Sequence, residues 1–178
     1  MKKLFLLIGI GLSANILLAQ TPCEAGFAGI WPCENVDMWA FMTLEEIGGG
    51  ANTNDVWGWT DSDSGREFAL IGKNTGTAFI EITDALNPVY LGSLATQTAP
   101  SLWRDVKVYS NHAFIVSEAD DHGMQIFDLT QLLTVDSPPI IFENTAFYDG
   151  FGDAHNICIN EDSGYAYGVG TDNMNGGL

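Results

Sequence analysis

A phrase of the sequence returns at a near-constant interval, and this constrains the fold more than any other feature. "GTAFIEITD" at 76–84 alternates apolar and polar residues as a strand does, and "GMQIFDLT" from Gly123 repeats its pattern. Aligned on these phrases, Val56, Val106 and Ile157 occupy one position, spaced by 50 and 51 residues. Each is followed by a turn ("TDSDSG", "SN", "NEDSG"), then an apolar strand ("EFALIG", "AFIVSE", "YAYGVG"), then a polar loop. A strand opening on glycine comes next ("GTAFIEIT", "GMQIFDLT" and the short "GGL"). The first copy adds a fourth strand, "PVYLGSL"; the second delays its equivalent behind "QLLTVDSPP" and then offers "IIFENTAFY". Helical periodicity is poor and turn residues are frequent, so the chain reads as all-β.

Four short strands every ~50 residues is the pattern of a β-propeller blade. A lone four-stranded sheet cannot bury both faces, whereas stacking sheets around an axis does so and protects most edges. The repeats run over about 52–100, 101–152 and 153–178, which amounts to some two and a half blades of an incomplete ring. The reading is therefore of a fragment ending inside its third blade. The terminal sheet then lacks a neighbour, as end repeats of stacked arrays do.

Two segments precede the repeats. Residues 1–19 have two lysines, a long apolar run and Ala19 before Gln20, the build of a cleaved secretory leader. Gly9, Gly11, Ser13 and Asn15 interrupt the run and no basic stop-transfer cluster follows, which disfavours a membrane anchor. No other stretch is apolar enough to span a bilayer. Residues 20–50 form a cysteine-containing segment ending in "EEIGGG". Export makes a Cys23–Cys33 disulfide the expected pairing. Cys158, between Ile157 and Ile159, reads as a small buried strand residue.

Removing the leader leaves four basic residues against 23 acidic, a net charge near −19. Such a surface repels nucleic acid and anionic membranes, and suits calcium, cationic partners or plain solubility.

Three long phrases, "GTAFIEITDALNPVYLGSL", "SLWRDVKVYSNHAFIVSEADDHGMQIFDLT" and "YDGFGDAHNICINEDSGYAYGVGT", together with "TPCEAGFAGIWPCENVDM", resemble the choice-of-anchor B family, whose blades resemble LVIVD repeats. The resemblance covers essentially the whole chain after the leader. It implies an exported bacterial protein, extracellular or at the cell surface, with a β-propeller-like body and a C-terminal anchoring tail beyond these residues. It implies no catalytic activity.

The chemistry-bearing residues lie at equivalent positions. The first strand of each repeat opens on a polar pair: Asn54–Asp55, Arg104–Asp105 and His155–Asn156. In a propeller these converge near the central channel, where they bind a small ligand or a metal, or hydrogen-bond across blades. Trp57, Trp59 and Trp103 stand close by, either as stacking platforms or as core. Alternation puts Trp57 and Trp59 on one face and Val56 on the other. "DSDSG" (61–65) resembles the start of a calcium loop but lacks its glycine and glutamate spacing. It recurs in register as "NEDSG" (160–164), which favours a hairpin with glycine at positive φ. In "SEADDHG" the residues Glu118, Asp120, Asp121 and His122 crowd one loop; a calcium site is the alternative to solvated loop charge. The loop at 170–177 is its counterpart in the third repeat.

No G-x-S-x-G, H-E-x-x-H, P-loop or dinucleotide fingerprint occurs, and three scattered histidines make no zinc site. The expectation is a non-catalytic binding module whose partner is a protein or glycan at the cell surface. The alternatives are a hydrolase-like extracellular enzyme using Asp55, Asp105 and His155, and a structural surface component.

Overall fold

The computed structural model describes residues 20–173. The leader read at 1–19, the closing "GGL" and the end of the 170–177 loop lie outside them. The chain divides into two compact units, at Trp39 and Ala40.

In the first unit, β1 (Phe27–Ala28) pairs antiparallel with β2 (Trp31–Pro32). The expected disulfide is present, with Cys23 and Cys33 Cα atoms 5.9 Å apart. Thr21 and Met38 exchange backbone hydrogen bonds, and Asp37 accepts from the Cys23 amide at 2.8 Å. So short a segment has little core, and these links take its place.

Among the described residues the second unit is all-β, in three sheets, none of which closes on itself. The first holds β3 (Thr53–Thr60), β4 (Glu67–Lys73), β5 (Gly76–Glu81) and β6 (Val89–Ala95) as an antiparallel meander. The second holds β7 (Arg104–Tyr109), β8 (His112–Ser117) and β9 (Met124–Asp128). A 3-10 turn at Leu129–Thr134 follows, started by Asp128, whose side chain accepts from the Thr130 amide. The chain then supplies β10 (Ile140–Phe142) and β11 (Ala146–Tyr148), and the third sheet is the hairpin of β12 (Asn156–Asn160) and β13 (Tyr165–Val169).

"IIFENTAFY" is two strands, where the sequence reads as one. β10 runs parallel to β6 as a fifth strand of the first sheet, and β11 returns to pair with β9 as the fourth of the second. Asn144 sits at the crossing. It accepts from Gln125 Nε2 at 2.9 Å and donates to Gln97 Oε1 at 2.7 Å. The swap needs Gly92: at φ +146°, its missing Cβ would stand 2.0 Å from the Ile140 carbonyl oxygen.

Burial follows the number of neighbours each sheet has. Phe68, Leu70, Phe79, Leu94, Val106, Ile115 and Phe127 fill the space between the first and second sheets, with Phe79 and Phe127 stacked at 4.7 Å. The other face of the first sheet, Ala78 and Ile80, is covered by Met42, Leu44 and Ile47. Residues 40–50 thus pack with the sheets. Val116 and Ile157 join the second and third sheets, backed by Phe114, Met124 and Phe151. Strand β5 is accordingly buried on both faces, whereas Tyr165, Tyr167 and Val169 of β13 are exposed.

The same register corrects the reading of Cys158. It pairs with Tyr167, on the face opposite Ile157, and it is exposed, because no further sheet covers that face among the described residues. Of the tryptophans, Trp59 is core, stacked on Phe68 at 5.1 Å, whereas Trp57 and Trp103 are exposed. The two glycine turns are hairpins as read: Gly65 and Gly164 both lie at φ +71°, and the Asp61 and Asn160 side chains accept from the Ser64 and Ser163 amides.

Candidate functional site

Equivalent strands β3, β7 and β12, with the residues just before the latter two, bring Asn54, Asp55, Trp103, Arg104, Asp105, His155 and Asn156 around one hollow of about 190 Å³. Its construction repeats at each junction between sheets. Asp55 accepts from the Val106 amide at 2.9 Å, and Asp105 from the Ile157 amide at 2.7 Å. Asn54 Nδ2 donates to the Arg104 carbonyl at 2.7 Å, and Asn156 Nδ2 to Asp105 at 3.3 Å. Each aspartate therefore latches its own sheet to the next one by a charge-assisted bond to a backbone amide that the strand ladder leaves unpaired.

Lys107 is the counter-ion. Its ammonium contacts Asp105 closely, lies 3.8 Å from Asp55, and sits 4.5 Å from the centre of the Trp57 ring. The two carboxylates respond differently. Burial, then the hydrogen bond with Asp105, raises Asp55 above the ordinary range. Burial also pushes Asp105 upward, but the hydrogen bonds from Asp55, Lys107 and Ile157 outweigh it and hold Asp105 low. Asp55 is thus the first of the pair to take a proton on acidification.

Arg104 borders the hollow but does not offer its guanidinium to it. Only 1% exposed, its guanidinium is turned into the protein: Nε donates to the Lys73 carbonyl at 3.0 Å, and Nη2 to Thr96 Oγ1 at 2.8 Å. The remaining arm, Nη1, lies 2.8 Å from His122 Nε2. His122 is fully buried, and its Nδ1 lies 3.0 Å from the Gly123 carbonyl. A neutral ring protonated at Nδ1 satisfies both contacts. Burial holds His122 down to about 4 and Arg104 down to about 10. Arg104 is a structural clamp, with its donors used on the protein itself.

Glu118, Asp120 and Asp121, read in the sequence as a calcium set, are not brought together. Among the described residues, no three His, Cys, Asp or Glu side chains are grouped to hold a metal ion. Glu118 is directed at His155, with Oε1 2.5 Å from Nδ1. The Asp120 carbonyl accepts from Thr98, Asp121 turns the chain at φ +56°, and His122 points inward.

Two features of the hollow are not legible in the motif, Lys107 as counter-ion and Glu118 as the holder of His155, whereas Trp103 stands at the rim as one of the aromatics read beside the polar pairs. Trp103 is 52% exposed, with its ring 6.2 Å from that of His155. Glu118 precedes His155 by 37 residues, and no local spacing announces such a pair. Among the described residues, the side-chain hydrogen bond of His155 goes to Glu118, and none goes to a Ser, Thr or Cys.

Comparison with protein-family models, with curated proteins and with solved structures finds no match for this chain.

Proposed function

We propose that the chain is an exported, surface-associated module of the choice-of-anchor B kind, a β-propeller of four-stranded blades that binds a partner and transforms no substrate. One observation carries the binding reading. The carboxylates that catalysis would need are committed to amides of the neighbouring sheets and to Lys107, while Trp103 and His155 stay exposed at the rim. A group that latches two sheets cannot cycle protons without loosening them, whereas an exposed aromatic beside polar groups is suited to recognition. The three-sheet arrangement with repeated latches supports the propeller reading. The disulfide, and the absence from the described residues of a helix able to cross a membrane, are compatible with an extracellular protein.

The partner class is a protein or a glycan. The test is long incubation of the chain with chromogenic ester, glycoside and peptide substrates, alongside peptide and glycan arrays. Array binding without turnover is expected. Turnover abolished by His155→Ala in a folded variant would establish the hydrolase-like alternative, which the His155–Glu118 pair favours. For export, amino-terminal sequencing of the secreted chain is expected to start at Gln20; retention of the leader on a cytoplasmic product would refute it.

A further inference from the structure

Resting on that binding reading, we infer that the hollow between Trp103 and His155 takes a cationic side chain, an arginine in first place, from an exposed segment of a partner protein. The first ground is charge. Asp55, Asp105 and Glu118 stand around or beside the hollow; of the cations nearby, Lys107 is paired with the aspartates, and Arg104, which borders the hollow, turns its guanidinium inward onto Lys73, Thr96 and His122. The second is the set of polar atoms left over. Glu118 meets His155 Nδ1 through Oε1 at 2.5 Å, while Glu118 Oε2 and Asn156 Oδ1 receive no hydrogen bond from the described residues. A site with acceptors to spare calls for a ligand rich in donors, and a guanidinium has five and no acceptor.

The third ground is the exposed indole of Trp103, since tryptophan is the best ring for holding a cation on its face. The described residues already use this chemistry three times, the loosest being Lys73 at 6.0 Å from the Tyr90 ring centre. The Lys107 ammonium lies over Trp57 between two aspartates, and the Arg66 guanidinium lies 5.2 Å from the Phe68 ring centre while gripping Glu81 with two nitrogens, at 2.9 and 2.7 Å. The fourth is size. At about 190 Å³ the hollow is below the roughly 300–1,000 Å³ of drug-sized pockets, so it admits one side chain and not an extended ligand. A sugar ring would stack on Trp103 as well, but an uncharged polyol gains nothing from the excess of carboxylates. The net charge of −17 draws a cationic segment from a distance.

The experiment is a tryptophan-fluorescence and NMR titration of the full chain with three blocked tripeptides, Gly-Arg-Gly, Gly-Lys-Gly and Gly-citrulline-Gly, and with methyl glycosides. Citrulline keeps the shape of arginine and removes its charge. The arginine peptide is expected to bind at least tenfold more tightly than the citrulline peptide, and less tightly as salt is raised. Trp103→Ala should weaken it by about fivefold. Trp103→Phe should recover part of that loss, which separates lost stacking from a lost fold. Equal binding of arginine and citrulline peptides, or indifference to Trp103→Ala, overturns the inference. Binding of glycosides alone also overturns it and leaves the binding reading standing, with a glycan as partner. Turnover of a substrate overturns both.

Discussion

Substituting Asp105 by alanine removes the acceptor that joins the second sheet to the third. Its carboxylate is 5% exposed and takes the amide of Ile157, itself 2% exposed, at 2.7 Å. Truncation leaves that N–H buried without a partner, at about 1–3 kcal/mol. Lys107 loses its closest anion and keeps Asp55 at 3.8 Å; with the lysine side chain 21% exposed, this adds less than about 1 kcal/mol. Relief of the repulsion that raises Asp55 offsets part of the sum. The expected net loss is about 3 kcal/mol. Asp55→Ala should cost only about 1 kcal/mol, because the Val106 amide also has Asp105 Oδ1 at 3.1 Å. Asp105→Asn, which keeps an acceptor and matches what Asn156 supplies in the third repeat, should fall between the two. Urea titration followed by circular dichroism orders the three variants, and hydrogen exchange at Ile157 shows whether the loss is at the latch. If Asp105→Ala lies within about 0.5 kcal/mol of the parent, or Asp55→Ala costs more, the latch does not hold the sheets together.

Three further outcomes are expected. His122 has a folded pKa of about 4, against an ordinary 6.5, because burial penalises the charged ring, so the unfolded chain binds the extra proton. Stability is therefore full above pH 6.5 and falls by on the order of 3 kcal/mol as pH drops to about 4. His122→Gln keeps an acceptor for Arg104 and should flatten the urea midpoint across that window. An unchanged slope would remove His122 as the cause, since Glu81, held low by Arg66, loses its contribution only as pH falls below its ordinary 4.5. Gly92→Ala should expel β10 from the first sheet at about 3 kcal/mol, seen as fast amide exchange at 140–142 with β3–β5 still protected. Cys23→Ser, opening a loop of sequence separation 10, should loosen residues 20–39 by about 3 kcal/mol, with exchange in β7–β9 unchanged; a global loss of protection would contradict the division into two units.

What the sequence discloses here is what repeats, and what it conceals is what a single side chain does once. Val56, Val106 and Ile157 recur at one spacing because each lies near the start of the first strand of its sheet. The structure brings all six residues of the polar pairs, Asn54, Asp55, Arg104, Asp105, His155 and Asn156, around the hollow. Arg104 differs in what its guanidinium does, because a place in a repeat fixes the backbone and the start of a side chain but not where the end of a long one finds its partners. Thr96, the Lys73 carbonyl and His122 lie on the inner side and satisfy the guanidinium there. Likewise, alternation correctly separated Cys158 from Ile157, but whether its face is covered depends on a neighbouring sheet. "IIFENTAFY" read as one strand because both halves are apolar and β-branched or aromatic; only pairing partners distant in sequence divide it at Asn144.

The latches also explain why aspartate stands before the aligned aliphatic residue in the first two repeats and asparagine in the third. Asp55 and Asp105 each meet a backbone amide of a following sheet, where a full negative charge strengthens the bond. Asn156 meets no such amide among the described residues; its Nδ2 turns back to Asp105, a bond a carboxylate in its place could not donate. A second carboxylate there would also face Asp105 without a lysine, because the residue equivalent to Lys107 in the third repeat is Cys158. Charge at this position therefore follows the availability of an amide on one side and a cation on the other. Where both are present the carboxylate is held in place, and the acceptors beyond the last lysine are the ones left to meet a cation from outside.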